Sequence, residues 1–308
     1  MLERLAAAMK KHPVVSFFIL AFAFTWAHWV PQALVSRGVS AVRAPDFTVI
    51  VAGYGPALAA LIVTASLYGK PGLRALAGRL FHWRVGVQWY ALALLAPPFI
   101  AAAGLALHLL LGGAAPPFAQ SGGELLTPGG SLWLEAGLLF LIFTLGFDGL
   151  GEELGWRGFA LPHLQAAQSA LVASLVLGIF WGAWHIPYAL TDGSALASRP
   201  IPLLIVDVVA SAILFTWLFN HTGGSVLLAI LFHASGNTTH NLLPSVWHLL
   251  ALDQSDPGVA SSSATELRIF LFQMAIRWLL AIVVVLVAGR AFSRRPSTPS
   301  TLVAEPSA

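Results

Sequence analysis

The apolar positions of this chain fall in long runs. They extend from Val14 to Val35, Phe47 to Tyr68, Val87 to Leu111, Ser131 to Gly151, Ala170 to Leu190, Pro202 to Phe219, Ser225 to Leu243 and Leu267 to Gly289. A helix of about 20 apolar residues crosses a bilayer. The pattern therefore predicts an all-α polytopic membrane protein, a bundle of about eight transmembrane helices. The sixth and seventh runs are the shortest. The first follows the basic segment MLERLAAAMKKH and exceeds the core of about 7–15 residues that a signal peptide carries, so it is read as a first membrane helix.

Lysines and arginines are retained on the cytoplasmic side of a membrane protein. Arg4, Lys10 and Lys11 precede the first run, and Lys70, Arg74, Arg79 and Arg84 separate the second from the third. Arg290, Arg294 and Arg295 follow the last. An even number of crossings with both termini inside puts all three groups on one side and leaves Arg37, Arg43, Arg199 and Arg268 outside. One integral membrane domain is expected over 1–292. The Pro/Ser/Thr-rich residues 293–308 have little to bury and are expected to be disordered. The Gly/Pro-rich stretch Gly112–Gly130 reads as an irregular outer connection.

Composition agrees with the pattern. The chain has 308 residues, 57% of them hydrophobic and 9% charged, against roughly 25% charged in ordinary globular domains. The eleven tryptophans and nineteen phenylalanines suit the two membrane interfaces. There is no cysteine, which removes disulfides, Cys-ligated metals and thiol nucleophiles. The net charge of +3 comes from membrane-flanking residues, so no nucleic-acid partner is implied. The bilayer itself is the partner the composition requires.

Ionisable side chains inside membrane spans are costly and mark candidate sites. Here they are Glu135, Asp148, Glu152, Glu153, His185, Asp207, His233, His240 and Arg277. Glu153 and Arg157 are i,i+4 neighbours and can pair, while Glu152 points away from that pair. A solvated charge pair at a membrane-edge helix end would look the same. His233 and Asn237 share one helix face, extended by His240, which serves either chemistry or helix–helix hydrogen bonding. His185 lies near the end of an aromatic span, two residues before Pro187, where regular helix is expected to kink or end. Asp207 and Arg277 read as a buried structural ion pair between the sixth and eighth spans. Glu135 and Asp148 have no obvious partner.

Two carboxylates, two histidines and an asparagine on three spans are the parts of a hydrolytic site in an intramembrane polar cavity. A carboxylate takes a proton from water, neutral histidines orient that water or ligate a metal, and His or Asn donors stabilise an oxyanion. Arg157 or a metal ion would keep a buried base ionised.

The same residues resemble the three motifs of the CPBP family, the intramembrane protease group that contains the type II CAAX prenyl proteases and is also called the ABI family. Its E-E-x-x-x-R is matched by Glu152-Glu153-Leu154-Gly155-Trp156-Arg157. Its F-x-x-x-H is matched by Trp181-Gly182-Ala183-Trp184-His185, with Trp181 in place of Phe, a departure that preserves aromatic character. Its H-x-x-x-N is matched by His233-Ala234-Ser235-Gly236-Asn237. The motifs cover about Gly146 to Asn241, and ELGWRGFALPHLQ and WGAWHIP resemble bacterial members.

The resemblance implies an endopeptidase acting on a membrane-associated or lipid-anchored peptide, in the cytoplasmic membrane of a prokaryote. It makes Glu152 the general base, with His185 positioning the water. His233 and Asn237 bind the oxyanion, and Glu153, Arg157 and Trp181 support the site. It leaves open zinc on a Glu152, His185, His233 set or a metal-free glutamate mechanism. No HExxH helix, GxSG motif or GxGD motif is present. Two other functions compete: a non-catalytic scaffold or bacteriocin-immunity-type protein that keeps the fold, and a proton-coupled transporter using the same Glu and His. A geometric difficulty accompanies the proteolytic reading. The drawn spans put Glu152 and His185 at opposite ends of successive helices, too far apart to cooperate unless the fourth span runs on past Glu153 or the fifth begins later. The glycines at 149, 151, 155 and 158 allow close packing or a broken helix there.

Overall fold

The computed structural model describes residues 7, 9–113, 132–146, 148–249 and 263–293. Residues 294–308 of the expected tail, most of the connection 112–130, and Arg4, Arg294 and Arg295 lie outside that set. Among the described residues the structure is helical, without strands. In chain order the elements are α1 (Pro13–Ser36), α2 (Thr48–Gly53), α3 (Gly55–Leu80), α4 (Val87–Leu110), α5 (Leu132–Leu145), α6 (Gly149–Gly155), a π-helical turn (Trp156–Ala160), α7 (Leu161–Ala167), α8 (Ala170–Trp184), α9 (Ile186–Ala189), α10 (Ile201–His221), α11 (Val226–Leu249) and α12 (Ser263–Ser293).

Every expected span thus has a helix, and several are interrupted. The sixth and seventh are longer than expected, at 21 and 24 residues. Five stretches of the described residues are long and apolar enough to cross a membrane: Pro13–Ser36, Val87–Leu110, Trp133–Ala167, Ile201–His221 and Ala264–Gly289. Large apolar side chains such as Leu95, Phe99, Leu141, Ile179, Leu279 and Leu286 point outward from the bundle. That inversion suits a protein whose surroundings are lipid tails rather than water.

The interior is organised around the run from α6 through the π turn into α7. Trp156, Arg157, Phe159, Ala160 and Leu161 are essentially inaccessible. Phe17 and Phe18 of α1 pack on the Trp156 ring, with centroids 5.4 and 6.1 Å away. A π turn adds a residue to the helical repeat and re-aims the side chains beyond it, and such turns favour functional sites. On the opposite face α6 lies against α2 and α3 at backbone contact. A Cβ on Gly151 would stand 2.5 Å from the Gly53 carbonyl oxygen, and one on Gly155 would stand 2.5 Å from the Pro56 backbone. Small residues let backbones approach this closely within a membrane. Gly155→Ala is accordingly expected to force α6 from α3 and cost about 1–3 kcal/mol, read as a lowered thermal midpoint of the detergent-purified protein. An unchanged midpoint would show that the contact yields.

Three long-range polar bonds fix this frame. Thr25 donates to the Ala52 carbonyl at 2.7 Å, the Trp26 indole donates to the Trp184 carbonyl at 3.0 Å, and Arg79 donates to the Gly158 carbonyl. They tie α1 to α2, α1 to the end of α8, and α3 to the π turn. Asp207 of α10 and Arg277 of α12 make the expected pair, in bidentate form at 2.7 and 3.0 Å.

Candidate functional site

The fourth span does run on past Glu153. It breaks after α5, restarts at α6 and continues through the π turn to Ala167. Glu152 and Glu153 sit in the restarted helix, adjacent in sequence and facing different neighbours. Trp181, in the last turn of α8, reaches across to Glu152 at 2.6 Å. His185 caps that same helix, after which Pro187 belongs to the short α9. The geometric difficulty is resolved at this point.

Glu152 is buried and receives two indole N–H bonds on one oxygen. Trp156 Nε1 lies 3.1 Å and Trp181 Nε1 2.6 Å from Oε2. Among the described residues the bonds to this carboxylate all fall on Oε2. Donors of this kind offset part of the cost of burying a carboxylate and hold its plane. The Trp156 bond has the same i,i+4 spacing as the neighbouring ion pair, a local signal that sequence reasoning passed over. The substitution of Trp for Phe at 181 therefore does more than keep an aromatic ring, since it adds an N–H that phenylalanine lacks.

Glu153 is fully enclosed, and its Oε1 accepts from Arg157 Nη1 at 2.8 Å and from His233 Nδ1 at 2.7 Å. The Arg157 guanidinium lies against the rings of Trp181 and Phe215, at 4.1 and 4.0 Å, in the corner formed where the two rings meet at 83°. Among the described residues, the buried atoms Glu153 Oε2 and Arg157 Nε and Nη2 find no hydrogen-bond partner. Paired charges and two aromatic faces thus hold a cation in an interior that would otherwise exclude it.

His185 donates Nδ1–H to the Trp181 carbonyl at 2.9 Å and stands edge-on to Trp184. With Nδ1 protonated, its Nε2 carries the lone pair in the neutral ring. His233 donates Nδ1–H to Glu153, so its Nε2 donates only when the ring is an imidazolium.

A cavity of about 550 Å³ gathers these groups. Glu152, Trp181, His185, His233 and Asn237 all line it, whereas Glu153 and Arg157 stand behind its wall. Asp148 and His240 line it too, as do Asp207 and Arg277. Glu135 is buried in α5 and is not among the lining residues. Among the described residues no group of three or more His, Asp or Glu side chains is placed to hold a metal ion. As they stand, Glu152, His185 and His233 do not form a ligand set, and no step below runs through a metal.

Trp181→Phe removes one donor from Glu152 and keeps a ring over Arg157. A hydrogen bond to a charged group is worth about 1.5–3 kcal/mol. The thermal midpoint of the detergent-purified protein is expected to fall. An unchanged midpoint would show that Trp181 acts through packing alone.

Fold and cavity together define an integral, polytopic α-helical membrane protein with polar and ionisable groups collected inside the helix bundle. Two likenesses place it more narrowly. Residues 133–239, which contain all three motifs, match the family model described as type II CAAX prenyl endopeptidase Rce1-like. A protein of Methanococcus maripaludis named CAAX prenyl protease 2 is 24% identical over 234 residues, which cover 74% of this chain and 83% of that relative. The matches and the motifs support the CPBP/CAAX protease family as the family of this chain, and with it a hydrolase of the protease class.

Proposed function

We propose that the chain is an intramembrane endopeptidase that hydrolyses a peptide bond of a membrane-associated or lipid-anchored substrate with water activated by Glu152. The observation that carries this reading is the carboxylate of Glu152 on the cavity wall, with Oε2 held by two indoles and Oε1 free of those bonds. A water between Oε1 and His185 Nε2 would be polarised from both sides. Glu152 takes its proton, and the resulting hydroxide adds to the carbonyl carbon. The oxyanion accepts hydrogen bonds from the Asn237 amide and from Nε2–H of His233, whose imidazolium form faces the Glu153 carboxylate. Collapse breaks the C–N bond, and the proton held by Glu152 passes to the leaving amine, which closes the cycle. Glu153 and Arg157 are positioning residues that act through His233 and Trp181.

The scheme uses only side chains of this chain. Cleavage is expected to survive prolonged dialysis against EDTA. Loss of activity restored by zinc alone would instead make Glu152, His185 and His233 a ligand set and overturn the scheme as drawn. The distribution of lysines and arginines supports cytoplasmic termini, and the likeness to bacterial members supports a prokaryotic cytoplasmic membrane. Because the chain has no cysteine, single cysteines introduced near each end can be probed with an impermeant maleimide on intact and opened cells.

The protein purified into phosphatidylcholine nanodiscs, offered a library of lipid-anchored peptides, is expected to release fragments by cleavage at an internal bond. Binding without cleavage would favour a scaffold or immunity-type protein. Proton flux in liposomes that follows a gradient, again without cleavage, would favour a transporter.

A further inference from the structure

The cavity has a second polar region that the hydrolytic scheme does not use. Arg277 lines it, but Asp207 already neutralises that guanidinium through two hydrogen bonds. Arg199, at the entry to α10, lines the same cavity and is only partly accessible. Among the described residues its guanidinium closes no ion pair and donates no side-chain hydrogen bond; its recorded contact is the Phe270 ring, 5.0 Å away. Asp207 and Glu266 act on it only through space. His240, Asn241 and Gln273 line the same cavity and add polar character to it. A guanidinium that closes no ion pair is costly in a membrane cavity, and such groups mark substrate paths. Its fork of donors matches a carboxylate in two-point geometry. One cation that closes no ion pair among the described residues fits a singly charged group better than a phosphate, which brings nearly two charges.

We propose that Arg199 forms an anionic subsite of this cavity and takes a carboxylate carried by the peptide substrate, at its C-terminus or on a side chain. The inference deepens the proteolytic reading and rests on it. The occupied subsite would pair the buried cation and fix one end of the peptide, so that a bond upstream of the carboxylate meets Glu152.

The test uses the full chain carrying Glu152→Gln, so that bound peptide stays intact, in phosphatidylcholine nanodiscs. Three dansylated apolar pentapeptides serve as probes: a C-terminal acid, its C-terminal amide, and that amide with one internal Asp. At least one acid-bearing probe is expected to bind about tenfold or more tightly than the plain amide, and Arg199→Gln is expected to erase the difference. Equal affinity for all three probes would overturn the subsite without any variant being made. A preference that survives Arg199→Gln would overturn it as well. So would equal probe binding together with Arg199-dependent retention of phosphatidylglycerol, which would make the occupant a lipid headgroup. If wild type cleaves nothing and the acid preference persists, the proteolytic reading fails while the subsite stands. If wild type cleaves and the preference is absent, the reverse holds.

Discussion

Glu152→Gln is expected to lower peptide-bond cleavage by about 10³-fold while leaving the protein folded. A positioned general base contributes about 10²–10⁴-fold, and Glu152 lines the cavity together with His185 and His233. The amide of glutamine has nearly the same shape, and its oxygen can still accept from the indoles of Trp156 and Trp181. The site is therefore kept and the proton acceptor is lost. The expected signature is a fall in kcat with substrate affinity preserved, which a merely structural glutamate would not produce. His185→Ala should act in the same direction by removing the second contact to water, with Glu152 still present.

The second large effect concerns stability. Removing Arg157 alone takes one of two partners from a fully enclosed carboxylate and leaves Glu153 to His233 alone. Breaking a buried pair from one side costs about 3–5 kcal/mol. Arg157→Met should therefore sharply reduce the yield of folded protein and its thermal midpoint. Arg157→Lys should rescue only part, because the planar guanidinium against Trp181 and Phe215 is lost. Glu153→Gln combined with Arg157→Met removes both charges and is expected to recover much of the stability. The double variant should remain poorly active, since His233 loses the carboxylate that orients it. A double variant no more stable than Arg157→Met would contradict the pairing as the source of the loss.

The features read from sequence are those with short-range signals. Long apolar runs located a helix at each expected span, and the i,i+4 spacing of Glu153 and Arg157 matches their 2.8 Å contact. Asp207 and Arg277, opposite charges in two apolar spans, also meet. The breaks were harder to see. The interruption between α5 and α6 lies inside one apolar run, and the π turn at Trp156–Ala160 follows beyond the expected end of that run at Gly151. Only the glycines at 149, 151, 155 and 158 hint at either, as sites of close packing or a broken helix. Bonds between distant segments carry no local signal at all. Trp181 to Glu152, and His233 to Glu153 across eighty positions, depend on how three helices are set side by side. The same holds for Arg199, which from its place among the outer arginines reads as a topology residue and in the fold lines the cavity. Trp156 is the exception, since its i,i+4 spacing from Glu152 is readable in the sequence.

The central claim is that Glu152 activates the water that cuts the peptide bond. It is tested most directly by mass spectrometry of a lipid-anchored peptide incubated in H₂¹⁸O with wild type and with Glu152→Gln, in parallel nanodiscs matched for folded protein. The account predicts that wild type yields fragments whose new carboxylate carries one ¹⁸O, and that the variant yields almost none over the same time. Equal labelled product from both proteins would contradict it.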